Sequence, residues 1–378
     1  MAFVNNIVDP LSPPVRAALN SAGALLPLKS LRYGHLEELF KLARVDYLLP
    51  QQAVFDTEQG QADSIYLLSG TALVIDADGF EKNVGEQPLL EPLGHHQHNL
   101  QRVVAQTDVC VLRLPNEALQ QHLARSQLTD YMLSEPDLLQ SFDGDVELIS
   151  TILSSNLFYK VPPINANCII GKLQLKKVAA GERVIQQGDE GGGCYFIKSG
   201  EAQVLRSSED AKAEQVVASI SAGRCFGEDA LIDKRPRNAS VQFISEGELF
   251  YLDKQAFLSL FERVEAPEVA WPASQTDALK YVLVDVRSDA EYSLGHLPKA
   301  ANLPLSVMAM KKRLLNKQQA YLFYCESGVR SGAAAHFLSQ QGYNVAALQG
   351  GLRHQTDIPS LQAGSCYVLR EGRAVETD

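Results

Sequence analysis

Two stretches of the chain combine residue types and spacings that could do chemistry. In Tyr324-Cys325-Glu326-Ser327-Gly328-Val329-Arg330-Ser331 a sulfur nucleophile is followed by a permanent cation, with four residues between them. Gly328 permits a tight curl that turns successive N–H groups inward, and the electropositive start of a helix would stabilise a thiolate there. That is the chemistry of a reactive cysteine loop; a buried structural cysteine is the alternative. In Phe226-Gly227-Glu228-Asp229-Ala230-Leu231-Ile232-Asp233-Lys234-Arg235-Pro236-Arg237-Asn238-Ala239-Ser240-Val241 a glycine leads into a short helix, and Arg237 follows Glu228 by nine residues. Free N–H groups around Gly227, Glu228, Asp229 and Ala230 can meet an anion to which Arg237 returns, and Glu228 can accept a hydrogen bond from a sugar hydroxyl. Standing alone, this second stretch reads equally as a short surface helix with ordinary charges.

The elements that must position these residues are legible around them. Tyr321-Leu322-Phe323-Tyr324 is an apolar run of the kind a buried strand uses, and residues 332–340 read as a helix, so Cys325 sits on a strand-to-helix turn. From Leu31 a helix is expected through about Ala43, followed by short strand-like segments with turn signals, which indicate a β-sandwich or barrel. Ile65-Tyr66-Leu67-Leu68-Ser69-Gly70-Thr71-Ala72 is echoed by Cys194-Tyr195-Phe196-Ile197-Lys198-Ser199-Gly200-Glu201-Ala202, which reads as an internal duplication. Residues 128–153 are helical in character, interrupted near Pro136 and Gly144.

Asp285-Val286-Arg287, Glu291-Tyr292, Gly295-His296-Leu297-Pro298, Asn302-Leu303-Pro304, the stretch from Cys325 to Arg330 and Gly350-Gly351 occur in order, and together they resemble a rhodanese domain. The resemblance implies an α/β fold with a parallel sheet and a persulfide on Cys325. It also implies that the N–H groups of Glu326, Ser327, Gly328 and Val329 act with Arg330 to hold the sulfur or a thiosulfate anion. Asp285, Arg287 and Glu291 are expected as ion-paired supports beneath the loop, and His296 as a residue that hydrogen-bonds a turn. Gln355 departs from the family, which usually has tryptophan after the paired glycines. The related dual-specificity phosphatases and arsenate reductases leave room for a tetrahedral phosphate with a longer loop, so the shorter loop here favours a sulfur-sized guest. Glu326 puts a negative charge in that loop, which should disfavour the doubly charged thiosulfate relative to a thiol or protein persulfide.

Ala180-Gly181-Glu182-Arg183-Val184-Ile185-Gln186-Gln187-Gly188-Asp189 and Tyr195-Phe196-Ile197-Lys198-Ser199-Gly200 precede the Gly227 stretch. All three resemble the cyclic-nucleotide-binding domains of the catabolite activator protein and of kinase regulatory subunits. The resemblance implies a β-roll or jelly roll with flanking helices and a 3′,5′-cyclic nucleotide, cAMP or cGMP, as regulatory ligand. It gives Glu228 the ribose, Arg237 the cyclic phosphate, and the N–H groups of Gly227, Asp229 and Ala230 the remaining phosphate contacts. Asn238 and Ser240 lie where the family tunes base choice, and Ala239 between them belongs to the same nucleotide-binding stretch. The first copy lacks this cassette: Pro92 interrupts the helix that would face a phosphate, and His95, His96 and His98 read as a solvated loop rather than a metal site. It is expected to be degenerate and structural, with homodimerisation as its candidate role.

The chain of 378 residues fits about two to three domains. The expected division is a tail over residues 1–24, a degenerate cyclic-nucleotide-binding-like domain over 25–127, a second over 128–264, a linker over 265–277, a rhodanese domain over 278–360 and a C-terminal tail over 361–378. Trp271, the only tryptophan, falls in that linker, where it either packs an interface or stacks on a purine. A net charge of −11 argues against nucleic acid or an anionic membrane as partner. Six scattered cysteines without a CxxC pair suit neither a disulfide framework nor zinc. The first residues are broken by Asp9, Pro10, Pro13, Pro14 and Arg16, unlike a signal peptide, and no apolar run reaches the length of a spanning helix, so a cytoplasmic location is expected. The expected function is a cyclic-nucleotide-responsive sulfurtransferase that takes sulfur from a donor to a thiol acceptor through Cys325, with no required cofactor or metal. The alternative is a non-catalytic nucleotide-sensing scaffold whose rhodanese domain docks partners.

Overall fold

Alternation of apolar and polar residues between Arg44 and Pro115 produces seven antiparallel strands whose inward positions carry Val54, Ile65, Val103 and Val111. The structure, a computed structural model, describes residues 11–56, 62–87, 89–93, 100–135, 149, 152–153, 158, 161–168, 170–207, 214–262, 264–271, 280–355 and 358–377. The histidines of the first copy, residues 95, 96 and 98, lie outside them, as does most of the interrupted segment over 136–148. The chain forms two compact units, one made of Met1–Gln127 with Pro267–Asp378, the other of Leu128–Ala266.

In the first unit, α1 (Pro13–Ser21) and α2 (Tyr33–Phe40) precede β1 (Arg44–Leu48), β2 (Ala53–Asp56), β3 (Asp63–Ser69), β4 (Ala72–Asp76), β5 (Glu81–Val84), β6 (Leu100–Ala105) and β7 (Val109–Pro115). The strands form two sheets, in the orders β1-β7-β3 and β2-β6-β4-β5. The helix α3 (Asn116–Leu133) follows, and its Leu119 and Leu123 pack with Leu19, Leu39, Phe40 and Tyr66 in a second apolar cluster.

The second unit holds β8 (Gln174–Val178), β9 (Arg183–Ile185), β10 (Gly193–Ser199), β11 (Glu201–Arg206), β12 (Gln215–Ser221), β13 (Cys225–Phe226), α4 (Glu228–Ile232), β14 (Ser240–Phe243), β15 (Gly247–Asp253) and α5 (Lys254–Ser259). Its sheets run β13-β10-β15-β8 and β12-β11-β14-β9. Removing β13 leaves the topology of the first roll strand for strand. Even an irregularity repeats: the register slips between Leu67 and Ser69 on β3 and between Ile197 and Ser199 on β10. Among the described residues, β13 and α4 have no counterpart in the first roll, which is where the Gly227 cassette sits.

The remainder of the first unit contains β16 (Glu268–Val269), β17 (Val282–Asp285), α6 (Asp289–Leu294), β18 (Ala301–Asn302), α7 (Met308–Lys311), β19 (Tyr321–Tyr324), α8 (Val329–Gln340), β20 (Val345–Leu348), β21 (Cys366–Arg370) and β22 (Arg373–Thr377). Five of these strands make one parallel sheet, ordered β16-β20-β19-β17-β18. β19 is buried along its whole length, as expected of a parallel strand covered on both faces.

Two expected boundaries change. The segment expected as a linker supplies β16, with Ala347 N donating to Pro267 O at 2.7 Å and Gln349 N to Val269 O at 3.0 Å. A two-residue strand is too short to show any periodicity, but it satisfies the outer edge of β20. Trp271, partly buried, packs on an apolar cluster that contains Leu297, Leu322 and Leu348. The expected C-terminal tail folds as a β21–β22 hairpin, in which the Tyr321 hydroxyl donates to Gly372 O at 3.0 Å, and Gln362 bridges to His296. Among the described residues, no helix is long and apolar enough to cross a membrane.

Candidate functional site

Cys325 follows the last residue of β19, and α8 begins four residues later with Gly328 as its N-cap at φ +84°, a left-handed conformation that glycine adopts without strain. The paired glycines brace this turn. A Cβ on Gly351 would collide with Gly328 N and Cys325 O, so its absence lets the following chain lie against the loop, with Leu352 N donating to Cys325 O and Arg353 N to Glu326 O, both at 2.9 Å. Cys325 is wholly buried, and its Sγ lies 3.5 Å from Ser331 Oγ, whose hydroxyl also reaches Gly328 O at 3.2 Å and must turn from it to donate to a thiolate.

Beneath the loop stand two buried ion pairs. Arg287 forks onto Asp285 at 2.7–3.1 Å and also donates to Gly295 O at 2.6 Å. Arg330, with no solvent exposure, donates from both terminal nitrogens to Glu291 at 2.8 Å each. Glu291 is fixed in turn by a capping box with Ser288 at the start of α6. Burial alone would raise the Glu291 carboxyl, but the charge and hydrogen bonds of Arg330 outweigh it and hold the group at about 2. The Glu326 carboxylate faces Arg287 at 3.9 Å and Arg353 at 4.0 Å, so its charge is partly met by cations rather than aimed unopposed into the loop. His296 sets its ring nitrogens beside two backbone carbonyls, Leu297 O at 2.9 Å and Ser365 O at 2.8 Å, its single N–H donating to one of them according to the tautomer, and stacks on Tyr292; it tethers the hairpin.

Three buried polar atoms of the loop have no hydrogen-bond partner: Glu326 Oε2, Ser327 Oγ and Arg330 Nε. Arg330, expected to hold an anion, gives the end of its guanidinium to Glu291 instead. One of those nitrogens also reaches Gln120 Oε1 on α3, at 3.3 Å. Nothing in the sequence signalled Gln120, which lies 210 residues away.

At the other site β13 delivers Gly227, the N-cap of α4 at φ +84°, where a Cβ would sit 2.8 Å from Arg237 Nη1. Arg237 is 6% exposed and donates to Gly227 O at 2.5 Å and Gly193 O at 2.6 Å. Among the described residues no carboxylate pairs with it. Glu228 is buried, with Cys225 Sγ 3.9 Å from its carboxylate. Ala239 and Ser240 are buried, Asp229 and Asn238 exposed. Ser240 Oγ accepts from Gln187 N at 2.9 Å and lies 3.3 Å from Glu214, a carboxylate lowered by its hydrogen bonds from Arg183. The cassette thus brings Gly227, Glu228 and Arg237 together and leaves Asn238 outward.

A family model described as the cyclic nucleotide-binding domain matches residues 175–264, and one described as the rhodanese-like domain matches residues 268–354. A sulfurtransferase of Allochromatium vinosum is 38% identical over 77 residues, which are 20% of this chain and 72% of that protein. A cAMP-dependent protein kinase regulatory subunit of Emericella nidulans is 31% identical over 148 residues, 39% of this chain and 33% of its own. The cyclic AMP receptor protein of Thermus thermophilus is 28% identical over 110 residues, 29% of this chain and 50% of its own. The chain thus spans a third to a half of the length of these nucleotide-binding relatives.

Proposed function

The chain belongs to the rhodanese-like family, with a cyclic nucleotide-binding domain fused ahead of the rhodanese domain, and on that premise we propose that Cys325 carries sulfane sulfur as a persulfide from a donor to a thiol acceptor. The observation that carries this reading is the set of buried loop atoms without a hydrogen-bond partner, Ser327 Oγ, Arg330 Nε and Glu326 Oε2, the last 3.9 Å from an Arg287 nitrogen. Buried polar groups are nearly always paired, and each unpaired one costs about 1–3 kcal/mol. Three in one six-residue loop suit a polar guest beside the cysteine.

In the first half-reaction the Cys325 thiolate attacks the outer sulfur of the donor. The donor's sulfur–sulfur bond breaks, its electron pair leaves with sulfite or with the donor thiolate, and a persulfide forms on Cys325. In the second, an acceptor thiolate attacks the terminal sulfur, the persulfide bond breaks, and the electron pair returns to Cys325 as thiolate. Ser331 hydroxyl and the N–H groups at the start of α8 stabilise the sulfur anion in both. Because Glu291 neutralises Arg330 and Glu326 adds a carboxylate, the loop carries little net positive charge, which favours thiol or protein persulfides over thiosulfate as donors.

The second roll, in the same reading, binds a 3′,5′-cyclic nucleotide, cAMP or cGMP, with Arg237 on the phosphate and Glu228 on the ribose, and thereby regulates sulfur transfer. One observation favours the scaffold alternative: Cys325 has no solvent exposure. Mass spectrometry of the protein after exposure to a persulfide donor separates the two. We expect one added sulfur atom on Cys325, lost in Cys325→Ser; an unmodified Cys325 would leave the scaffold reading standing.

A further inference from the structure

We propose that Gln120, carried by the first β-roll, is a positioning residue for Arg330 in the sulfur-carrying loop: it holds the guanidinium on Glu291 and so selects against dianionic sulfur donors. The selectivity rests on the reading of Cys325 as a sulfur carrier; the contact does not.

Gln120 is 5% exposed, and its Oε1 accepts from Arg330 Nη2 at 3.3 Å. The same nitrogen donates to Glu291 Oε1, so both of its hydrogens are spent. Arg330 can then turn toward an anion in the loop only by leaving a buried amide oxygen without a donor, which is costly. Gln120 brings no charge of its own, so its effect is on where the cation points.

Another polar side chain of the same roll lies buried. Tyr66 on β3 is wholly buried, its hydroxyl has no hydrogen-bond partner, and burial together with the negative charge of Glu291 pushes its ionisation far above the usual range. Gln120 on α3 is the side chain of the first roll that contacts Arg330. A roll that lacks its own phosphate cassette has here a definite task, as a partner of the sulfur loop.

The test compares thiosulfate, a dianion, with 2-hydroxyethyl persulfide, whose only charge is on its sulfur. Gln120→Met keeps the volume and removes the acceptor. It should lower KM for thiosulfate by about threefold, the share of one weak hydrogen bond, and leave KM for the persulfide unchanged. Gln120→Glu, which adds a carboxylate to the arginine, should raise KM for thiosulfate and leave the persulfide again unaffected. KM values that move together for both donors, or not at all, overturn the proposal, since a merely structural glutamine would affect both alike. Hydrogen exchange of peptides covering residues 326–335 in the full chain is measured alongside. Faster exchange there in Gln120→Met, with the rest of the rhodanese domain unchanged, is expected whether or not either donor loads Cys325, and unaltered exchange overturns the contact. If Gln120→Met does not fold, Gln120→Asn withdraws the same oxygen.

Discussion

Arg237 and Arg330 are both buried cations, and they are met in opposite ways. Arg330 has a carboxylate on its fork, whereas Arg237 has two backbone carbonyls and, among the described residues, no carboxylate. A buried charge without a counter-charge is costly, and an anion seated on it relieves that cost. Arg237→Ala should therefore weaken cAMP binding by about a hundredfold, on the order of 3 kcal/mol for a charge-assisted contact in a buried site. Isothermal calorimetry on the full chain reads this directly; unchanged affinity would take Arg237 out of the site. At this scale the sequence was informative where chemistry is local. Cys325, Gly328 and Arg330, like Gly227 and Arg237, lie within ten residues of one another, so one turn brings them together. Gln120 was not legible, because a contact between residues 210 positions apart leaves no spacing to read.

At the scale of elements, α2 and α3 are joined by a pair of buried histidines. The His35 and His122 rings lie 5.9 Å apart, edge to face. Burial first, then the positive charges of His122 and Arg125, lowers His35 to about 3; burial and then Arg125, opposed by Glu38, lowers His122 to about 4. Both are thus neutral in the folded protein at a pH where the unfolded chain, near 6.5, takes up protons. The stability they contribute is present above about 6.5 and is lost as pH falls toward 4, at about 1.4 kcal/mol per pH unit for each ring. Urea midpoints of the full chain should drop steeply between pH 6.5 and 4, and His122→Gln should remove about half of that slope. A flat profile in the unaltered protein would contradict this. Among elements, the two rolls were visible because period-two patterning and the repeated Ser-Gly turn survive divergence. β16 and the β21–β22 hairpin were not, since two-residue strands and a terminal hairpin are defined by the edge or side chains they meet.

For the whole molecule, that short strand sets where the protein can be divided. β20 is flanked by β16 on one side and β19 on the other, and Val269 and Trp271 pack on the apolar cluster that contains Leu297, Leu322 and Leu348. A rhodanese fragment that starts at residue 278 would lack both β16 and the indole. It would present β20 as an open edge beside uncovered leucines, which is the geometry that recruits strands from neighbouring molecules. Such a fragment should aggregate more readily in concentration-dependent light scattering than one starting at residue 265 and ending at 378, both of which lack the first roll; equal behaviour of the two would show that the edge is not at risk. Two residues of chain thus act as a built-in guard against self-association, and any rearrangement that peeled them away would expose a sticky seam.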